Sequence, residues 1–235
     1  MTVTEVLNEL KALGSPAIKK VLMNHGAKEP FYGVKVEDLK KVLKKIKGDQ
    51  KLALELYDTG ISDAMYLAGL AADGSKMTKK ELQHWAKNAY WYMISEYSVP
   101  WVTSESPYGW ELAKEWIDSK NELVASAGWA SLSNLLAVTP NEQVDAKWMK
   151  ALLQRVKKEI HKAPNRVRYT MNGFVIALGG YYSEMTKEAL ATAKEMGVVM
   201  VDMGGTACKV PSATDYIKKM EAKGVIGKKR KTAKC

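Results

Sequence analysis

The chain has 235 residues, a formal net charge of +10 and a sequence pI near 9.3. Hydrophobic residues make up 46% of it, which excludes a disordered polymer, and the length suffices for one domain built around a real core. The charge excess is almost all lysine, a residue suited to phosphate neutralisation, so nucleic acid or another polyanion is the favoured partner; a merely soluble lysine-rich surface is the plainer alternative.

In chain order the sequence reads as a succession of short amphipathic helices. Val3, Val6, Leu7 and Leu10 have helical apolar spacing, and Gly14 stops the first helix. The opening MTVTEVLNELKALG carries acids early and no long apolar run, so no leader peptide is expected. Ser15 before Pro16 reads as an N-cap with a first-turn proline, and Gly26 ends that segment. Val36, Leu39, Leu43 and Ile46 form the next stripe, backed by lysines, and Ser62 opens SDAMYLAGLAADG. Thr78 with Glu81 is a capping-box pattern that opens TKKELQHWAKNAYWYM. Ser106 and Pro107 open SPYGWELAKEWIDSK, followed by NELVASAGWASLSNLL. Further helices are predicted over 144–160, 165–182 and 183–196, with SATDYIKKMEAKG as the last.

Short helices joined by few residues make antiparallel neighbours, and pairs recurring at intervals of ~40 residues predict HEAT-like stacking. The expected fold is therefore an all-α solenoid of about six helix pairs, with a compact bundle as the alternative. One stretch departs from this pattern. GVVMVDMGGTACKVP has β-branched runs on both sides of Gly204-Gly205, which predicts a small β-hairpin or an extended loop near 198–210. The domain is read as 1–224 and the basic end, GKKRKTAKC, as a tail within 225–235.

No Gly-rich phosphate loop or metal cluster appears, and no cofactor or metal is implied. No stretch approaches the roughly 20 apolar residues of a membrane span, so no membrane partner is expected. Cys208 and Cys235 are too few for a disulfide framework and suit a reducing compartment, the cytoplasm. A monomer is the expected state.

The segment Ser98–Trp110, SVPWVTSESPYGW, holds two tryptophans, a lone carboxylate at Glu105 and no positive charge. Six of the seven tryptophans fall between Trp85 and Trp129; Trp85, Trp116 and Trp129 lie in apolar stripes and are assigned to the core. Trp101 and Glu105 stand at i and i+4 and share a face if the segment is helical. Downstream, NRVRYTMNGF carries Arg166 and Arg168, which a helix sends to nearly opposite sides. Arg166 lies closer in angle to Phe174, about 80° against about 120° for Arg168. Arg166 thus shares more of the Phe174 face, and Arg168 is expected to have a structural role braced by Asn172.

PFYGVKVEDLKKVLKKI, then LALELYDTGISDAMYLAGLAAD, then a tryptophan-rich middle form an order that resembles the AlkD-like DNA alkylation-repair family of HEAT-repeat proteins. The resemblance spans roughly residues 15 to 190. It implies a stack of helix pairs holding duplex DNA on a basic concave face. Active members of that family release cationic alkylated purines by cleaving the N-glycosidic bond, with an aspartate, two tryptophans and an arginine close to the nucleotide. The residue types suit the chemistry: a carboxylate steadies oxocarbenium character at the sugar, and tryptophan faces attract cations, worth ~0.5–2 kcal/mol.

Carried onto this sequence, the resemblance gives Trp101 and Glu105 the catalytic roles, with glutamate in place of aspartate. The family arginine falls near Ser126, where there is no charge, and the second tryptophan near Phe174. Arg166, Arg168 and Phe174, with Lys228, Lys229, Arg230 and Lys231 of the tail, are the expected DNA contacts. The altered acid and missing arginine favour binding of damaged or branched DNA with weakened or absent base excision. The alternatives are an alkylpurine DNA glycosylase using Glu105 and Trp101, and a helical-repeat scaffold for a protein partner.

Overall fold

The computed structural model describes residues 1–234 and is all helical; Cys235 lies outside the described residues. Local chemistry sets most helix ends. Thr2 and Glu5 form a reciprocal capping box at the start of α1 (Val3–Leu13), and Thr78 and Glu81 do the same for α6 (Lys79–Asn88). Ser15 caps α2 (Pro16–Asn24), which begins on its proline. Asp49, Asn121 and Asp145 cap α4 (Gln50–Asp58), α9 (Glu122–Val138) and α10 (Ala146–Glu159).

The remaining helices are α3 (Val36–Ile46), α5 (Ser62–Ala71), α7 (Val99–Ser104), α8 (Gly109–Trp116), α11 (Asn165–Tyr181), α12 (Thr186–Met196) and α13 (Ala213–Ala222). Behind an N-terminal group of three helices, the chain forms five consecutive pairs, α4/α5 to α12/α13. The second members α5, α7, α9 and α11 pack side by side. Their composition explains this. Every residue from Ser62 to Leu70 of α5 is buried, and α9 has apolar or small residues nearly all round, so neither can be a surface helix. The first members, such as α6 and α10, keep one lysine-rich face in water.

The aromatic-Gly-Val turn before α3 has a distant anchor. Asp63, buried at the start of α5, accepts the Tyr32 and Val34 amides at 2.5 and 2.8 Å. Trp85, Trp116 and Trp129 are core residues, as their apolar stripes predicted.

The structure differs from the sequence reading in three places. The segment 78–93, predicted as one helix, breaks after Asn88; a new helical segment begins at Tyr92 and passes through a π-turn, Ile94–Ser98, directly into α7. Pro100 accounts for the irregularity. It has no N–H to continue the α-helical ladder, and the Val99 amide reaches back to the Ile94 carbonyl instead. The packing there is close: a Cβ on Gly69 of α5 would stand 2.6 Å from the Ser98 Cβ, so only glycine fits. Second, the hairpin form of 198–210 is absent: these residues take the other form expected there, an extended loop, and no strand occurs among the described residues. Third, Asn172 donates to the Pro211 carbonyl, and Arg168 turns to Asn165 rather than bracing on Asn172.

Candidate functional site: the two edges of the inner helices

The inner helices run in one direction, so their N-termini share one edge and their C-termini the other. Both edges are marked by hydrogen bonds. At the first, the Trp91 indole N–H donates to Ser62 at 2.6 Å and the Arg166 amide donates to Glu122 at 2.6 Å. At the second, residues 227–234 cross the ends of α11, α9, α7 and α5 in turn.

The N-terminal edge holds a buried ion pair. Glu96, in the π-turn, receives the Arg166 guanidinium through two bonds, Nε to Oε1 at 2.7 Å and Nη2 to Oε2 at 2.6 Å. The Arg166 guanidinium also lies 4.2 Å from the ring centre of Tyr92 and 4.5 Å from that of Tyr169. Arginine suits both contacts because its planar group forks onto a carboxylate while its faces meet aromatic rings. Burial pushes the Glu96 carboxyl up to about 7, against the opposing pull of Arg166. The same burial raises the Tyr92, Tyr97 and Tyr169 phenols.

Beside this pair lies a cleft of about 310 Å³, lined by His25, Lys28, Tyr90, Tyr92, Arg166 and Met203 among others. The extended loop forms one wall. Asn165 grips its backbone at both sides of Asp202, donating to the carbonyl at 2.8 Å and accepting the amide at 2.7 Å. The loop then meets α2, where a Cβ on Gly204 would stand 2.5 Å from the Asn24 carbonyl, and Gly204 has a φ of 68°.

The C-terminal edge is where the tail lies. The Gly227 amide donates to Gly180 at 2.8 Å, and the Arg230 amide to Ala137 at 2.7 Å. The Lys229 ammonium donates to Leu136 at 2.8 Å, and the Lys234 ammonium to Leu70 at 3.3 Å and to Ala72. These carbonyls are the ones that helix ends leave without intrahelical partners, and cations there are favoured by the helix dipole. Glu105 ends α7 and accepts the Thr232 hydroxyl and the Ala233 amide, with the Lys234 ammonium 3.8 Å away.

The residues singled out in the sequence are therefore dispersed. Glu105 is joined to the tail. Trp101 is only 2% exposed and sits edge-on to Tyr66 and Tyr97, at 5.2 and 6.1 Å. Phe174 is fully buried against Trp129, at 5.2 Å, and has no surface to offer a ligand. Arg166 is at the N-terminal edge, locked to Glu96; Arg168 donates to Asn165 at 3.3 Å. Lys229 is turned inward, whereas Lys228, Arg230 and Lys231 are exposed. Sequence motifs and spacing single out neither Glu96 nor Tyr169. A signal was present: Glu96 is the lone charge in WYMISEYSVPW, and an acid in such a run needs a buried partner.

The positive charge lies around the inner layer. Helices α5, α7, α9 and α11 contain no lysine, and Arg166 and Arg168 are their only arginines. Lysines occupy the outer helices, the N-terminal helices and the tail. Among the described residues no helix is long and apolar enough to cross a membrane, and no group of three acidic, histidine or cysteine side chains is placed to hold a metal ion.

An all-helical stack of pairs, with a shared inner layer and a buried arginine–carboxylate–tyrosine cluster at one edge, defines a HEAT-like repeat protein. The chain belongs to the DNA alkylation repair enzyme family, whose model matches residues 6–204. A solved structure described as a new family of proteins related to the HEAT-like repeat DNA glycosylases with affinity for branched DNA structures is 37% identical, covers 100% of both chains and superposes with a TM-score of 0.90. The uncharacterized protein Lin0241 of Listeria innocua is 35% identical over 225 residues, covering 93% of this chain and 97% of that protein. Lmo0209 of Listeria monocytogenes, also uncharacterized, is 34% identical over the same shares of each chain.

Proposed function

We propose that this chain is a DNA-binding protein of the alkylation-repair family that engages branched or damaged DNA and has lost most or all base-excision activity. The observation that carries this reading is the state of its carboxylates. Glu105, the acid that the family resemblance points to, is joined to Thr232, Ala233 and Lys234. On the inner helices, Asp63 holds two backbone amides, Glu96 holds Arg166 by its side chain, and Glu122 holds the Arg166 amide. Each acid already serves the fold, whereas excision needs one aimed at a sugar.

Binding draws on other features. The half-buried Tyr92, Tyr97 and Tyr169 offer ring surface, worth ~1–3 kcal/mol per stacked base, and unpaired bases occur where DNA branches or is damaged. The surrounding lysines supply phosphate contacts, and the solved structure with affinity for branched DNA supports DNA as the ligand.

The test pairs two measurements on the full chain. Affinity for linear, three-way and four-way DNA is measured across a salt series. Preference for the branched forms, with a log–log slope near −0.9 per phosphate contacted, is expected. DNA carrying 7-methylguanine or 3-methyladenine is then incubated with the protein, and no free base is expected. Base release that disappears in Glu105→Ala would replace this reading with the glycosylase one. A flat salt response would leave the scaffold reading.

A further inference from the structure

The tail from Val225 to Lys234 carries five positive charges and no acid. Its inward and outward side chains divide the work. Lys229 and Lys234 turn in and meet carbonyls at the ends of α9 and α5. The amides of Gly227 and Arg230 meet those of α11 and α9. Four parallel helices ending on one edge, each equivalent to about −0.5 of an elementary charge, would otherwise repel phosphate. With the strap in place that charge is offset.

The outward residues are not consumed by this docking. Among the described residues neither Lys228 nor Lys231 has an ion-pair partner, and the Arg230 guanidinium donates only to the strap's own Lys234 carbonyl, at 3.1 Å. Of the nearby acids, Glu105 is held by the strap and Glu142 acts on the inward Lys229. Docking also holds the backbone in place, so the outward charges stand in a fixed row and lose less freedom on meeting a ligand than a free tail would.

We propose that this strap is a second phosphate-binding edge, in which Lys228, Arg230 and Lys231 take the sugar-phosphate backbone of one DNA arm while another arm lies at the Arg166 edge. The two edges lie apart because α9 and α11, of 17 residues each, separate them by about 25 Å. The inference rests on the DNA-binding reading above and adds a second arm to it. A protein that grips two separated backbones gains from a branched substrate, where two arms leave one point, and gains little from a straight duplex.

The experiment uses the double variant Lys228→Gln/Lys231→Gln, which removes two outward charges whose side chains hold no ion pair or hydrogen bond among the described residues; an unchanged melting temperature checks that. Fluorescence anisotropy with a four-way junction and with a linear duplex is recorded over a salt series. For the junction, the log–log slope should become shallower by about 1.8, that is 0.9 for each lost phosphate contact. The duplex slope should change by less than half as much. An unchanged junction slope overturns the second edge while leaving the DNA reading intact. Equal losses on both substrates overturn the two-arm assignment. If the wild-type chain binds neither substrate, the DNA reading itself falls and the second edge falls with it.

Discussion

The two edges of the inner helices use charge in opposite ways. At the N-terminal edge, Arg166 and Glu96 are withdrawn from water and satisfy each other, with tyrosine rings on the guanidinium. At the C-terminal edge, Lys234 is about as enclosed as Arg166, but it and Lys229 spend their donors on backbone carbonyls. The first arrangement fails if one partner is lost, because a buried charge without a partner is costly. The second loses one bond at a time. A positive residue is thus a keystone at one edge and a fastening at the other.

The largest effect should come from breaking the buried pair. Arg166→Ala leaves Glu96 alone in the interior and should lower stability by about 3–5 kcal/mol in denaturant unfolding. Adding Glu96→Gln to that variant should recover much of the loss, since no lone charge then remains.

The pH response of the same pair comes next. Burial raises the Glu96 carboxyl from its ordinary 4.5 to about 7 in the folded chain. Between those values the folded state binds more protons than the unfolded one at this site. Its contribution to stability is therefore fully present below about 4.5 and is lost as pH rises through about 7. Melting temperatures of the wild type and Glu96→Gln across that range should diverge, the wild type falling relative to the variant as pH rises.

Glu105→Ala tests the fastening. It removes the acceptor of Thr232 and Ala233 and should cost about 1–2 kcal/mol. Hydrogen exchange should show faster exchange at Gly227 and Arg230, with the Arg166 edge unaffected. Lys234→Met should be smaller, about 0.5–1.5 kcal/mol, since it removes the donor to Leu70 and Ala72 and retains an apolar stem. If Glu105→Ala costs as much as Arg166→Ala, the contrast between the edges is wrong.

What could be read from the sequence was local. The capping box at Thr78, the Ser15–Pro16 start and the α11 span are decided within one helical turn or by one stripe, and the structure places them where the spacing predicted. Stacking of pairs follows because each stripe needs a cover. The partners of Arg166, Glu105 and Lys234 lie 70, 128 and 162 residues away in the chain, and no local pattern selects them. The helical segment from Tyr92 was hidden for a different reason. Proline and crowded aromatics mask the helical period, and the π-turn that admits Pro100 has no sequence period of its own. For the loop at 198–210, β-branched residues around Gly-Gly predicted extended backbone correctly, but its cross-chain partner is the Asn165 side chain and not a second strand.

The π-turn before α7 also fixes a phase. A π-turn amounts to one residue more than the α-helix needs, and each residue advances a helix by about 100°. Tyr92 and Trp101 therefore sit in angular positions that an unbroken α-helix of the same sequence would not give them. Winding the same residues as an unbroken α-helix would turn everything on one side of the segment by roughly a quarter of a revolution, so that Trp101 and the Glu96–Arg166 pair could not both keep their places. In this helix the count of residues acts as an angular setting, and a further insertion there would be felt at both edges at once.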